Sequence, residues 1–201
     1  MAKIITLAHQ KGGVGKSTLA LNLALCFKDQ LRVALIDSDV QGSIYHLKEE
    51  FPELDILAPD KIGEIPKLDY DLIIVDTPPY LSNRLKELFG YSDYVLVPTK
   101  AGFFDVMAIK STLALIKFSQ AQNQNLKAGI VLNMLKPRSG ITAEVVELLN
   151  TLGTPLLRTH IFDRVSFARS SMTSGVFKST DQKAIEEVAF LAEEIVDLIS
   201  E

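Results

Sequence analysis

Cysteine and tryptophan are nearly missing from this sequence. Cys26 is the only cysteine among 201 residues, and there is no tryptophan. A single thiol excludes a disulfide framework and any metal or cluster site that needs cysteine pairs within one chain. Cys26 lies in an apolar run with helical spacing, so we expect a buried structural thiol. The three histidines, His9, His46 and His160, are scattered, which predicts structural roles rather than a metal site or a catalytic dyad.

Long hydrophobic runs and an excess of positive charge are missing as well. No stretch approaches the roughly 20 apolar residues that would span a bilayer, and the first apolar run, residues 4–8, is too short for a signal peptide. We therefore predict a soluble, cytoplasmic protein. The formal net charge is −4, so the whole molecule does not attract nucleic acid, and any DNA contact requires a local basic patch.

Short apolar runs alternate with helical patterns along the sequence. The chain is 47% hydrophobic and 23% charged, which is typical of one globular domain covering residues 1–201. The alternation predicts an α/β fold with a doubly wound, mostly parallel sheet flanked by helices. The predicted strands are residues 3–8, 31–36, 54–57, 72–75, 94–97 (ended by Pro98), 128–132 and 155–157. The predicted helices are residues 16–28, 42–50, 83–89, 103–122, 142–150, 165–172 and 181–199.

The clearest motif is QKGGVGKST, which joins the first predicted strand to the first predicted helix. Its glycines let the backbone close around a phosphate, and backbone N–H groups at a helix start attract an anion. Lys16 adds a charge for the β- and γ-phosphates, and Ser17 adds a hydroxyl suited to Mg²⁺. Eight matched residues disfavour the alternative, an ordinary glycine-rich turn with incidental lysines. The predicted nucleotide-binding residues of this loop are Gly12, Gly13, Val14, Gly15, Lys16, Ser17 and Thr18.

The loop departs from the general phosphate-loop pattern, which has a glycine at the position of Gln10. An extra lysine, Lys11, precedes the glycine pair instead, and this run resembles the deviant Walker A motif of the ParA/MinD family of ATPases. The resemblance implies a P-loop NTPase of the SIMIBI type that hydrolyses ATP with Mg²⁺. It also implies an ATP-dependent homodimer in which Lys11 reaches the partner's nucleotide, with Lys11 and Lys16 as catalytic residues.

Two carboxylates follow the second predicted strand, in the run DSDVQG. Asp37 and Asp39 lie where they can hold Mg²⁺ and a water, and an Asx-capped turn is the alternative. The run resembles the family's Asp-x-Asp-Pro-Gln motif, with Val40 in place of proline. The resemblance implies that Asp39 is catalytic and positions the attacking water, that Asp37 supports the magnesium shell, and that Gln41 lines the same loop.

Two further strand ends carry candidate side chains. Asp76 ends an apolar strand that resembles a Walker B strand, which implies contact with Mg²⁺ through water; a helix cap is the alternative. Asn133 follows the predicted strand 128–132, and the resemblance implies that it reads the adenine edge, with a turn residue as the alternative. Residues 161–164 are expected to pack near the base. Together with Ser17 and Asp37, Asp76 completes the predicted metal set.

The resemblance covers nearly the whole chain and is closest to small, ParF-like partition proteins. Because the first predicted strand begins at Lys3, we expect no N-terminal DNA-binding extension. The resemblance implies a ParB-like or other adaptor protein and the positioning or segregation of a plasmid, chromosome or protein cargo. It also implies non-specific DNA binding in the ATP state, hence association with the nucleoid. Solvated surface charge is the alternative for each candidate DNA contact, namely Arg164, Arg169 and Lys178, with Lys136 and Arg138 as further candidates.

A MinD-like membrane-associated ATPase is the main alternative. That branch carries a basic amphipathic helix, whereas the last predicted helix here is acidic and would be repelled by an anionic bilayer. We therefore predict no membrane partner. Iron–sulfur carriers of the same family need bridging cysteines, which this chain lacks. Metabolic ligases of the dethiobiotin-synthetase type rarely carry the early lysine.

Overall fold

The computed structural model describes residues 2–39, 44–80, 82–136 and 143–200. Its strands are β1 Lys3–Leu7, β2 Val33–Asp37, β3 Asp55–Leu57, β4 Leu72–Asp76, β5 Tyr94–Thr99, β6 Lys127–Leu135 and β7 Leu156–Phe162. Its α-helices are α1 Lys16–Phe27, α2 Asn83–Tyr91, α3 Phe103–Gln120, α4 Ala143–Asn150, α5 Val165–Arg169 and α6 Gln182–Ser200. Short 3₁₀ segments occupy Tyr45–Glu50, Pro59–Lys67 and Val176–Lys178. Across these residues, no helix has the length and apolar character needed to cross a membrane.

All seven strands form one sheet, in the order β3-β2-β4-β1-β5-β6-β7, and every neighbouring pair is parallel. Strands β2, β4 and β5 are buried along their whole length, as expected for parallel strands covered on both faces. The sheet confirms the predicted doubly wound architecture. It also brings the carboxyl ends of β1, β2 and β4 side by side, which is where open α/β sheets bind their ligands.

Helices cover both faces because successive strand side chains point to opposite sides. On one face, Ile5 and Leu7 of β1 pack with α1 and α6, whose buried residues include Leu23 and Val188. On the other face, β5 and β6 pack with α2, α3 and α4, where Val97 joins the same cluster. Cys26 is only partly buried against the first cluster, and burial raises the pKa of its thiol, which disfavours the reactive thiolate.

Three strands, β5, β6 and β7, continue at least two residues past their predicted ends. Strand β5 continues through Pro98 to Thr99; β1 pairs with β5 only as far as Leu96, so a proline beyond that point removes no bond from this ladder. Strand β6 runs past Asn133 to Leu135, so this asparagine lies inside the strand instead of after it.

Strand β7 has seven residues where the sequence predicts three. It is one of the two edge strands of this sheet, and carboxylates of α6 accept hydrogen bonds from its N–H groups. Glu194 accepts from Arg158 and Thr159, at 2.8 and 2.9 Å, and Glu187 accepts from Phe162 at 3.0 Å. These bonds join residues 25 to 36 positions apart, which local sequence patterns do not reveal.

Candidate functional site

The glycine-rich loop connects β1 to α1 and turns through two left-handed glycines. Gly13 has φ +70° and Gly15 has φ +89°, which strongly favour glycine. Gly15 directly precedes α1, and no described side chain caps this helix start, whose first turn contains no acidic residue. The unpaired N–H groups of the first turn and the helix dipole therefore form an anion site.

Lys16 and Ser17 begin α1 and lie against the end of β4. The Lys16 side chain is buried, and burial lowers its pKa, while the charges of Asp76 and Asp39 oppose that shift. The Ser17 hydroxyl donates to Asp76 Oδ2 at 2.5 Å. A buried cation, a hydroxyl and a carboxylate thus share one pocket beneath the loop.

Asp76 is buried with one oxygen unsatisfied. Its Oδ1 has no hydrogen-bond partner among the described residues, and burial raises the pKa of the carboxyl to about 7, against the hydrogen bond from Ser17 and the charge of Lys16. A buried acceptor without a partner costs free energy of about 1–3 kcal/mol. A hard cation fits this oxygen and the Ser17 hydroxyl, because Mg²⁺ prefers oxygen ligands.

The metal-binding capacity of the protein itself is small here. Within the described ranges there is no group of three or more histidine, cysteine, aspartate or glutamate side chains that would hold a metal ion. One carboxylate and one hydroxyl suit Mg²⁺, which commonly keeps waters and takes its remaining ligands from nucleotide phosphates.

Hydrogen bonds fix the strand ends that surround this pocket. Thr77 Oγ1 donates to the carbonyl of Leu7 at 2.7 Å, and Ser38 donates to the carbonyl of Asp76 through both its hydroxyl (2.7 Å) and its N–H (3.0 Å). Sequence reasoning did not identify Ser38 or Thr77, although small hydroxyl residues directly after buried strands are a usable signal.

Asp37 is fully buried, and both oxygens of its carboxylate accept hydrogen bonds from backbone N–H groups. Oδ1 accepts the N–H of Asp39 at 3.0 Å, whereas Oδ2 accepts the N–H groups of Ile44 and Tyr45 at 2.8 and 3.0 Å. The first bond has the Asx-turn form that was the alternative interpretation of this run. Asp37 therefore shapes the loop and the start of the 3₁₀ segment, and its magnesium role stays a prediction.

Asp39 is partly buried, and its negative charge acts on Lys16. The loop between β2 and the pocket thus brings the predicted water-positioning carboxylate towards the predicted phosphate-binding lysine. Gln41, expected to line the same loop, lies outside the described residues.

The side chain of Asn133 is hydrogen-bonded to the glycine-rich loop. Its Nδ2 donates to the carbonyl of Val14 at 2.7 Å, and its Oδ1 accepts the N–H of Met134 at 2.9 Å. A side chain at Gly15 would collide with this amide, so glycine is required there for space as well as for φ. Contact between Asn133 and an adenine ring stays a prediction, and it requires the amide to exchange these bonds.

Lys11 is bonded to α3 and to its own loop. Its ammonium lies 2.5 Å from Asp105 Oδ1, and its backbone N–H donates to His9 Nδ1 at 2.7 Å. His9 is buried, its Nε2 has no partner among the described residues, and burial followed by the charge of Lys16 lowers its pKa to about 4. Sequence reasoning missed Asp105, which is 94 residues from Lys11, and read His9 only as structural.

The three main DNA-contact candidates lie around α5 in different environments. Arg164 is largely enclosed in ion pairs with Glu187 (2.6 Å) and Asp181 (3.8 Å), so its charge is locally balanced. Arg169 is exposed and makes no ion pair with any residue that the structure describes, while Lys178 lies 3.7 Å from Glu53 with 65% of its side chain exposed. Arg138 lies outside the described residues.

Comparisons with known proteins place this fold and loop in a family. The sequence profile of the CobQ/CobB/MinD/ParA nucleotide binding domain matches residues 5–176. The maintenance of carboxysome distribution protein A of Halothiobacillus neapolitanus is 30% identical over 183 residues, covering 86% of this chain and 84% of that protein. The chromosome-partitioning ATPase Soj of Thermus thermophilus is 29% identical over 182 residues, covering 70% and 73%.

Solved structures share the fold over almost the whole chain. A putative plasmid partition protein from Borrelia burgdorferi, bound to AMPPNP, has a TM-score of 0.76 at 22% identity and covers 98% of this chain and 100% of that one. The Pyrococcus horikoshii septum site-determining protein MinD, complexed with Mg-ADP, has a TM-score of 0.75 at 19% identity, covering 98% and 97%. The profile match over residues 5–176 shows that the chain belongs to the CobQ/CobB/MinD/ParA family of nucleotide-binding domains.

Proposed function

We propose that this protein is a ParA-type ATPase that dimerises with ATP, binds DNA non-specifically in that state and positions a plasmid, chromosome or protein cargo in the cytoplasm. The observation that carries the proposal is the buried Oδ1 of Asp76, which has no hydrogen-bond partner in the described part of the chain and lies beneath a glycine-rich loop, beside Ser17 and Lys16. This arrangement suits a magnesium-bound nucleoside triphosphate. Relatives named for chromosome partitioning and for carboxysome distribution support the positioning role.

The proposed chemistry is transfer of the γ-phosphoryl group to water, which depends on positioning and charge stabilisation. Lys16 and the loop N–H groups bind the phosphates, while Ser17 and Asp76 would hold Mg²⁺, whose charge balances that of the phosphates. Asp39 orients the attacking water. Its carboxylate is kept near Lys16 by a loop that the backbone bonds of Asp37 organise.

Lys11 is proposed to act across the dimer. Its ammonium is bonded to Asp105 of α3 in the isolated chain, and its backbone is fixed by His9. A cation contributed by a second subunit would stabilise charge on the phosphates in the way that trans-acting arginine fingers do. Dimerisation would then depend on the nucleotide, and an adaptor protein would have a dimer on which to act.

DNA binding is proposed to rely on Arg169 and Lys178, the two exposed cations of the α5 region, instead of on Arg164. Two copies in a dimer would double a weak patch, which is necessary because the formal net charge of each chain is −4. Phosphate contacts of this kind release counterions, so the affinity should fall steeply with salt.

One experiment tests the proposal as a whole. The protein is incubated with Mg²⁺ and a non-hydrolysable ATP analogue, or with Mg-ADP, and its mass is followed by light scattering while fluorescent random-sequence DNA reports binding. We expect a dimer that binds DNA with the analogue and a monomer with ADP. A chain that stays monomeric with the analogue contradicts the proposal.

The MinD-like alternative is tested in parallel with anionic lipid vesicles. The exposed face of α6 carries Glu186, Glu193 and Asp197, and an anionic surface repels such a face. Sedimentation with vesicles but not with DNA would favour the membrane-associated function.

A further inference from the structure

The ion pair between Lys11 and Asp105 joins the glycine-rich loop to the first turn of α3. The ammonium and Asp105 Oδ1 are 2.5 Å apart, and the exposed fractions of the two side chains are 46% and 14%. The carboxylate is thus largely sheltered from water. A pair in this setting is screened less than a fully exposed one, so breaking it has a measurable cost.

The Asp105 carboxylate lies in a space that depends on the absence of a side chain at Gly102. Gly102 directly precedes α3, and a Cβ atom there would lie 2.6 Å from Asp105 Oδ2. Only glycine leaves this space, so the carboxylate can fold back over the helix start. Negative charge is also favourable at a helix N-terminus, which makes this an advantageous site for an acceptor.

The backbone of Lys11 is held as well. Its N–H donates to Nδ1 of the buried His9, so that imidazole fixes the residue while Asp105 fixes its ammonium. Both ends of Lys11 are therefore bound within its own chain. None of these bonds is made to the anion site at the start of α1.

The same helix start exposes two aromatic rings. Phe103 and Phe104 are 60% and 80% exposed and contact each other edge to face, with ring centroids 5.9 Å apart. Large exposed apolar side chains next to a functional loop are typical of a surface that another protein covers. A second copy that receives Lys11 would approach this face.

We propose that Asp105 is a positioning residue that holds Lys11 on its own subunit until a triphosphate on a second copy competes for the ammonium. The inference rests on the proposed ATP-dependent dimer and adds to it a contact within each chain that opposes dimerisation. Each Lys11 must exchange one carboxylate for phosphate oxygens, so Asp105 weakens the dimer and discriminates against nucleotides with less negative charge. Removing the carboxylate should favour dimerisation about fivefold for each lysine, hence about 25-fold for the pair.

The first test follows Lys11 in the nucleotide-free protein. Its acetylation by a limiting amount of acetic anhydride is measured by mass spectrometry, with the exposed Lys110 as the internal reference. We expect slow labelling of Lys11 in the natural protein and labelling about fivefold faster in Asp105→Asn. Asp29→Asn, which removes an exposed carboxylate paired with Lys28, is the matched control and should leave the acetylation rate of Lys11 unchanged. Equal Lys11 rates in the natural protein and Asp105→Asn would overturn the proposal.

The second test measures the dimer dissociation constant by sedimentation equilibrium with Mg²⁺ and a non-hydrolysable ATP analogue. We expect tighter dimers for Asp105→Asn than for the natural protein and for Asp29→Asn. A dimer of unchanged or lower affinity, with the fold intact by thermal unfolding, overturns the role of Asp105 but leaves the dimer standing. A natural protein that stays monomeric contradicts the proposed function itself. Asp105→Ser serves as a second variant should the asparagine destabilise α3.

Discussion

Two buried carboxylates, one beside the edge strand β7 and one on the inner strand β4, have opposite surroundings. Glu194 of α6 lies at the β7 edge and accepts one backbone N–H on each oxygen. Asp76 at the end of the inner strand β4 accepts one hydroxyl on Oδ2, and its Oδ1 has no partner among the described residues. Both groups are shielded from water, yet only one is fully satisfied.

Their pKa values follow from this difference. Burial pushes the pKa of Glu194 up, but the N–H groups of Arg158 and Thr159 outweigh it, and the pKa lies below its ordinary value. Burial raises the pKa of Asp76 to about 7, because one hydroxyl and the Lys16 charge do not compensate. A satisfied buried acid stabilises its surroundings, whereas an unsatisfied one costs stability and is suited to binding a ligand. Substitutions at the two sites should therefore separate binding from stability.

Lys16→Ala is expected to have the largest effect at the phosphate site. Removing the buried cation should weaken Mg-ATP binding at least about 100-fold, since the phosphates then lose the lysine charge and keep only the loop N–H groups and the Mg²⁺. The apo protein should remain folded. Titration with a fluorescent ATP analogue measures the affinity, and binding at the natural affinity would show that the loop is not the nucleotide site.

Asp39→Ala should separate hydrolysis from binding. Without the carboxylate that orients water, kcat is expected to fall about 100-fold, while the affinity for Mg-ATP changes less than about threefold. Phosphate release under single-turnover conditions measures the step. Asp29→Ala, at an exposed position, provides the control, and loss of both binding and turnover in Asp39→Ala would point to a structural role instead.

Asp76→Asn should stabilise the nucleotide-free protein at high pH. The folded pKa of Asp76 is raised from about 3.8 to about 7, so its contribution to stability is present below pH 3.8 and is lost as pH rises through 7. The amide carries no charge and still accepts from Ser17, so the variant should be more stable by roughly 2 kcal/mol at pH 8 and by less at pH 5.

Urea unfolding at the two pH values measures this difference. The difference in stability between Asp29→Asn and the natural protein should be the same at the two pH values, because that carboxylate is exposed. Magnesium-dependent nucleotide binding should be lost in Asp76→Asn alone. An Asp76→Asn protein with the same pH profile as the natural one would contradict the idea that this carboxylate is incompletely satisfied.

Glu194→Gln should show the smallest effect, and on stability only. The amide turns one acceptor into a donor that faces a backbone N–H of β7, which costs about 1–2 kcal/mol of unfolding free energy. Mg-ATP affinity should not change, because the β7 edge is remote in the sheet order from β1 and β4. Chemical denaturation and nucleotide titration of the same sample test both expectations. Weakened Mg-ATP binding would contradict the conclusion that Glu194 serves stability alone.

Sequence reasoning predicted the sheet class and the loop well, because both depend on local features. Buried parallel strands such as β2 and β4 are continuous apolar runs, and left-handed turns strongly favour glycine. Strand ends were less predictable. Pro98 does not end β5, because β1 no longer pairs with β5 beyond Leu96, and Asn133 looks like a turn residue unless its contact with Val14 is known.

The sequence by itself determined the order of strands and helices, the glycine-rich loop, and Asp76 as an acid at the tip of a buried strand. Tertiary structure decided which acids are satisfied and which are not. Asp37 is occupied by backbone N–H groups, Asp76 is left with a free acceptor among the described residues, and Asp105 meets Lys11 across 94 residues. Periodicity and backbone conformation are encoded locally, whereas hydrogen bonding and charge depend on which strand ends the fold brings together.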